Sequence, residues 1–361
     1  MKMRKIVCSF MISVVCFVTA ISGVSATSYD TSKINAAYSK VVEYYKNNNN
    51  LNNADKILAV ESLGLEAESN QFDTSSADLS STSLSKKIVT EVLLGVDPTE
   101  DKETLESQID ENGNVEGSWG TSSDVWTLYA LYVTSSEKTN LIANKLNDKL
   151  AASSVCGYEW GGTYYADYDT TGWVIEGLAV VNKEKYATTI NKAIDYIKNN
   201  TTMTTTGWVT ADNVDTQSQV LEGMFAYDTN SLLNDSYTIH PIDCLLNTQL
   251  SDGSFPSGYN AEYTTAEVAK TLGTYKNGSV FEKAKKAYDK MMNPEQPDNT
   301  KPAQPTDTKK DSQSTNKVET TNQKTTSVKT GDETNVVIFV SLSMVSGGLF
   351  LVLRKEYERV H

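Results

Sequence analysis

Four stretches of the chain align on one another at near-constant spacing, and this repetition constrains the fold more than any other feature. They are Trp126-Thr127-Leu128-Tyr129-Ala130-Leu131, Trp173-Val174-Ile175-Glu176-Gly177-Leu178, Gln219-Val220-Leu221-Glu222-Gly223-Met224 and Glu267-Val268-Ala269-Lys270-Thr271-Leu272. Successive starts lie 47, 46 and 48 residues apart. Each stretch carries small or apolar residues at helical spacing, and each follows a Gly-plus-aromatic segment: Gly117-Ser118-Trp119, Gly157 to Trp160, Gly207-Trp208 and Gly253-Ser254-Phe255. Between them run other helical stripes: Ile190, Ala193, Ile194 and Ile197; Ile242, Leu245 and Leu246 behind Pro241; Phe281, Ala284, Ala287, Tyr288 and Met291. A stripe at i, i+3, i+4 and i+7 is one face of a helix, and Pro suits a first helical position. A unit of this length holds two helices and cannot bury its apolar face alone, so neighbours must stack. Upstream, residues 37–45, 54–65 and 85–94 also read as helices, and no strand-like alternation competes. The spacing predicts an all-α fold of helical hairpins set side by side. Ala130, Gly177 and Gly223 are placed to let one helix of each hairpin approach its neighbour closely.

The repeats occupy only part of the chain, and the ends read differently. Lys2, Arg4 and Lys5 precede an apolar run over 7–18, and Val24-Ser25-Ala26 supplies small residues at a cleavage point, so 1–26 reads as a signal peptide. Residues 293–326 are rich in Pro, Thr, Asn, Gln, Ser and Lys and nearly lack apolar side chains. Such a segment buries too little surface to offset its ordering entropy and reads as a disordered linker. Residues 336–353 form an uncharged run just long enough to span a bilayer, followed at once by Arg354, Lys355 and Arg359. The basic residues stay in the cytoplasm by the positive-inside rule, which leaves the bulk of the chain outside. The repeat head is therefore 30–292, enough for one substantial core. The net charge of −14 argues against nucleic acid as a partner, since phosphates need a basic face.

Before the apolar run stands Ser327-Val328-Lys329-Thr330-Gly331-Asp332. Motif, apolar span and basic tail in this order resemble the cell-wall sorting signals of Gram-positive bacteria. The resemblance implies that a sortase cuts between Thr330 and Gly331 and joins Thr330 to peptidoglycan, with membrane contact through the span before sorting. Ser327-Val328 stands where the commonest motif has Leu-Pro. A plain single-pass anchor is the alternative.

The head carries a second resemblance. Gln249-Leu250-Ser251-Asp252-Gly253-Ser254-Phe255 resembles the Gln-to-aromatic motif of squalene–hopene cyclases and protein prenyltransferases. Asp167-Tyr168-Asp169-Thr170-Thr171-Gly172 resembles the acid motif of class II terpene cyclases, and the segment from Asn213 to Val220 resembles the helix start of the same repeats. The shared fold is an α/α toroid, with inner helices around a central axis and outer helices wrapping them. In that fold Gln249 would satisfy orphan groups at a helix end, and the aromatic would plug the gap between hairpins.

Asp169 then has two readings. As the middle acid of the cyclase motif, helped by Asp167, it would protonate an alkene or epoxide, burial raising its pKa. As a helix-start residue it would cap the first amides. Asp215 takes the same place one repeat later, and Thr264 with Glu267 has the spacing of a capping box. A feature repeated in every hairpin serves the hairpin, so capping is preferred. With only two histidines in the chain, a His-built metal site or a Ser-His-Asp triad is not expected, and no cofactor is implied. His240, Asp243 and Cys244 are not in the prenyltransferase zinc positions, and the loop of Asp110, Asn112 and Asn114 lacks the Gly a calcium loop needs. Cys156 and Cys244 form one disulfide or two buried thiols. Trp160, Tyr164, Tyr168, Trp173 and Trp208 gather near the turns, as packing between repeats or as the lining of a binding cleft. The expectation is a cell-surface, non-catalytic binding or adhesion head for an extracellular small molecule, glycan or peptide. A class II terpene-cyclase-like enzyme using Asp169 is the alternative.

Overall fold

The computed structural model describes residues 28–68, 72, 80–205, 208 and 213–294. The expected signal peptide, the linker beyond residue 294 and the sorting signal with its apolar span lie outside the described residues. Within them the chain is all-α apart from one small hairpin and an isolated bridge between Ile109 and Val115. The elements are α1 (Thr31–Asn47), α2 (Ala54–Ser62), α3 (Ser81–Leu93), α4 (Thr99–Ser107), α5 (Thr121–Val133), α6 (Thr139–Ser153), β1 (Gly157–Trp160), β2 (Thr163–Ala166), α7 (Tyr168–Asn200), α8 (Val214–Asn234), α9 (Pro241–Leu246), α10 (Ala261–Asn277) and α11 (Val280–Met292). None of these helices is long and apolar enough to cross a membrane.

Local chemistry sets the boundaries. Asp30, Asn53, Ser80, Asp167, Asn213, His240, Asn260 and Ser279 each accept a first-turn amide with the side chain, so eight helices begin at a genuine cap. Two long helices turn back after a single residue. The backbone leaves helical space at Asn182 in α7 and at Asp228 in α8. Each of these residues then caps the limb that follows: Lys185 N–H donates to Asn182 Oδ1 at 2.9 Å, and Ser231 N–H to Asp228 Oδ1 at 3.0 Å.

Six helices pack in a series that returns to its start: α2 on α3, α3 on α5, α5 on α7, α7 on α8, α8 on α10 and α10 on α2. They run in the same direction. Thr82 and Ser123, both in first turns, are hydrogen-bonded at 2.9 Å. Lys56 at the start of α2 pairs with Glu262 at the start of α10 at 2.8 Å, and Asn277 at the end of α10 donates to Ser62 O at 2.8 Å. The closest approach is between α7 and α8, where a Cβ on Gly223 would lie 2.4 Å from Gly172 O and one on Gly172 would lie 2.4 Å from Gln219 O. Gly273 sits equally tightly against the Ser62 backbone. The other helices lie against this series: α6 on α5 and α7, α4 on α3 and α5, α9 on α8, and α1 on α10 and α9. The last helix, α11, packs on α2, α3, α5 and α10.

Because neighbours run parallel, equivalent repeat positions meet in layers. One holds Trp126, Trp173, Gln219 and Glu267: the two indoles are 6.0 Å apart edge to face, and Gln219 Nε2 donates to Glu267 Oε2 at 3.2 Å. One turn further along lie Tyr129, Glu176, Glu222 and Lys270, with Tyr129 O–H to Glu176 Oε2 at 3.2 Å and Lys270 Nζ to Glu222 Oε2 at 3.6 Å. One turn earlier, at the helix starts, the same alignment places Ser122, Asp169, Asp215 and Tyr263.

Two expectations need correction here. Residues 157–166 form an antiparallel hairpin, Gly157 opposite Ala166 and Trp160 opposite Thr163. Gly161 and Gly162 have φ of 57° and 79°, the pair of positive angles that a two-residue primed turn requires. The Gly-plus-aromatic segments also differ among themselves: Phe255 is fully buried as a plug, while Trp119 is 79% exposed. Gln249 reaches back as expected, its Nε2 donating to Ala37 O and Gly253 O, both at 3.1 Å. Cys156 and Cys244 are both buried and free.

Candidate functional site

The end of the series where the six helices begin collects the titratable groups. Asp167, not Asp169, caps α7: its Oδ1 accepts Thr170 N–H at 3.0 Å and its Oδ2 accepts the Thr170 hydroxyl at 2.7 Å. The sequence expectation placed the cap two residues too late. Asp169 is instead a first-turn residue facing α8. Burial pushes its carboxyl up to about 6, the carboxylates of Asp167 and Glu267 adding and the Thr216 hydroxyl pulling the other way. Asp215 repeats this one helix on, because Asn213 is the cap there. Burial raises the Asp215 carboxyl to about 7, with Glu267 and Asp169 adding and the Thr264 hydroxyl opposing. The Thr264 hydroxyl lies near but donates to Asn260 O at 3.1 Å, so neither Asp215 oxygen has a donor of good geometry. Likewise Asn260, not Thr264, caps α10.

Beneath these lies a buried polar column that the sequence reading missed. Lys270 is 1% exposed and sits 3.1 Å from Glu267 and 3.6 Å from Glu222, both fully buried. Burial alone would lower the Lys270 pKa, but Glu222, Glu267 and Glu176 outweigh it and hold the ammonium charged. Burial and Glu176 push Glu222 well above the ordinary carboxylate range despite Lys270. Glu176 Oε1 accepts the Ser279 hydroxyl at 2.7 Å, and Phe281 stacks on Tyr129 at 3.7 Å. Side chains of α11 thus pack directly against the column at this level. The signal was visible: Glu176-Gly177 and Glu222-Gly223 put a carboxylate inside otherwise apolar repeat blocks.

The aromatic candidates divide. Trp173 is partly buried against Trp126, and its Nε1 is buried without a partner. Tyr164, 43% exposed, donates its hydroxyl to Val155 O at 2.9 Å. Tyr168 packs partly buried on the core. Trp208 is 1% exposed with Nε1 bonded to Thr201 Oγ1 at 2.8 Å, which makes it a core residue rather than a cleft lining. Trp160 pairs through its backbone in the hairpin, and its side chain lies outside the described residues. Trp119, Tyr158, Tyr164, Tyr165 and Tyr259 stand exposed on the loops that lead into α5, α7 and α10.

The remaining motifs are structural. Asp110 accepts the amides of Asn112 and Asn114 within its own loop, at 2.8 Å each. His240 caps α9, and Asp243 pairs with Lys33 at 2.9 Å. Comparison with known proteins finds no family model, no curated protein and no solved structure that matches the chain.

Proposed function

We propose that the chain is an exported, wall-anchored surface protein whose head is an α/α toroid, and that the head binds a small extracellular ligand without chemistry. The returning series of parallel helices supports the toroid. The observation that carries the binding reading is the helix-start end of that series: a half-buried Asp169 beside a buried Asp215 on its wall, exposed aromatics on the loops around it, and buried side chains filling the level one turn below. Sortase and peptidoglycan remain the proposed partners at Thr330 and Gly331, with the extracellular face of a Gram-positive cell as the location.

A second reading is favoured by one fact, the raised carboxyl of Asp169, which acid-initiated cyclisation would use. A polyprene, however, needs an apolar chamber below the acid. Here the next layers carry Gln219, Glu267, Glu222, Glu176 and Lys270, all buried. The test is a thermal-shift screen of the purified full-length chain against sugars, peptides, amines and isoprenoids. A bound ligand raises Tm by mass action. A response confined to isoprenoids, lost in Asp169→Asn, would replace binding with catalysis; no response to any class would end the binding reading.

A further inference from the structure

We propose that the ligand bears a primary ammonium group, which seats against Asp215, Glu267 and Gln219 in the wall of the helix series and enters past Asp169. This deepens the binding reading above and rests on it.

The inference starts from hydrogen-bond accounting. Four acceptor atoms on adjacent helices have no donor: Asp215 Oδ1 and Oδ2, Glu267 Oε1 and Gln219 Oε1. Their residues are 2%, 0% and 2% exposed. A buried polar group left unmade costs about 1–3 kcal/mol, more when charged. The orientation of Gln219 is fixed by its own Nε2, which donates to Glu267 Oε2 at 3.2 Å. The amide therefore presents its oxygen, and these four unmet atoms are all acceptors; the indole N–H of Trp173, in the same layer as Gln219 and Glu267, is an unmet donor beside them.

Of the protein's own cations only Lys270 reaches this group, through Glu267 Oε2; the nearby ones are held by other carboxylates. Lys86 holds Asp55 at 2.8 Å, Lys56 holds Glu262 at 2.8 Å, and Lys270 lies between Glu267 Oε2 and Glu222. No ion pair among the described residues reaches Asp169 or Asp215. An excess of acceptors with negative charge asks for a cation with several N–H donors. A primary ammonium has three. A quaternary ammonium has none, and a neutral hydroxyl brings acceptor lone pairs where acceptors are already in surplus.

A metal ion fits less well. Hard cations draw oxygens in to 2.0–2.6 Å, and among the described residues no three His, Cys, Asp or Glu groups converge closely enough to hold one. The carboxylates are spread along the wall over one helical turn. That spacing suits a larger group held by separate hydrogen bonds. Trp173, partly buried in the same layer, offers a face for the alkyl chain behind the charge.

The experiment uses the full-length chain and 1,5-diaminopentane at pH 7, with 1,5-pentanediol as a neutral analogue of the same length and calcium and potassium chlorides as separate arms. Asp215→Asn is the test variant, Gln219→Met a second one, and Asp148→Asn, on the exposed face of α6, matches the change in charge. The expected result is a saturable Tm rise and calorimetric binding with the diamine only, weakened at least about ten-fold by Asp215→Asn and unchanged by Asp148→Asn. Equal binding of the diol would overturn the charge argument. A response to calcium but not to the diamine would make this a metal site and overturn the inference. Diamine binding that survives Asp215→Asn and Gln219→Met would reduce it to general attraction to an acidic protein. No response to the diamine while a neutral sugar or peptide binds would leave the binding head standing and the ammonium inference refuted.

Discussion

The contact between α7 and α8 sets up a quantitative test. A methyl on Gly223 would stand 2.4 Å from Gly172 O and 3.2 Å from Ile175 Cβ. A carbon meets a carbonyl oxygen comfortably at about 3.3 Å, so Gly223→Ala must part the two backbones by roughly 0.9 Å. The obstacle is main chain inside a helix and has no rotamer to change. Overpacking of this kind costs about 3 kcal/mol, the upper part of its usual range. Alanine returns about 1 kcal/mol of helix propensity. The net loss is about 2 kcal/mol, or a Tm lower by roughly 4–8 °C for a head of this size. Gly177→Ala is the internal reference. Its methyl would meet Leu128 Cδ2 at 3.1 Å and Val125 Cγ2 at 3.3 Å, side-chain ends that can move, so propensity and crowding should nearly cancel. Gly172→Ala faces Gln219 O at 2.4 Å and should resemble Gly223→Ala. The double variant should lose less than the sum, because one widened gap admits both methyls. Urea denaturation followed by far-ultraviolet circular dichroism measures all four. A Gly223→Ala protein as stable as the parent, or a Gly177→Ala protein equally damaged, would refute the close backbone contact.

Three more predictions follow from the caps, the acids and the C-terminal motif. Asp167→Ala should cost about 1 kcal/mol and Asp167→Ser little, since serine keeps a cap acceptor, whereas Asp169→Asn should not destabilise; denaturation of the three variants that ranks Asp169→Asn lowest would contradict the assignment of the cap. Asp169 and Asp215 have folded values near 6 and 7 against ordinary values of 3.8, so the folded state binds protons that the unfolded state releases. Stability should therefore fall as pH rises between about 4 and 7, by an order of a few kcal/mol, and Asp215→Asn should flatten that slope in a Tm-against-pH series. Replacing Thr330 and Gly331 with alanine should release the protein from the wall fraction of the cells, and unchanged wall linkage would remove the sorting proposal.

What could be read from the sequence was whatever repeats. The helical hairpins, the tight glycines and the reach of Gln249 follow from spacing and residue size, which are visible in one dimension. Features set by partners in other repeats were not. The recurrence of an acid at Asp169 and Asp215 points to a cap at both, yet the chain enters α7 at Asp167 and a carboxylate two residues on must look sideways to α8. Trp208 looked like a rim aromatic because it sits beside a glycine, but its nitrogen finds Thr201 and the ring sinks into the core. The hairpin at 157–166 escaped because its four-residue strands are too short to show a period and β2 is exposed along most of its length, with no buried face to mark it. Glu176, Glu222 and Glu267 were seen as members of helical blocks, and only the parallel stacking of the blocks turns them into one buried column around Lys270.

The last helix of the head has a consequence for when this molecule takes shape. Ser279 binds Glu176 across 103 residues of sequence, and Lys283 binds the carbonyl of Glu61 across 222. The floor beneath the column is thus supplied by the last segment of the head to be synthesised. Long-range contacts of this kind are slow to form, and without α11 the charges of the column keep their water. For a chain exported N-terminus first, as proposed above, the contacts that close the column can form only once α11 has followed the rest of the head across.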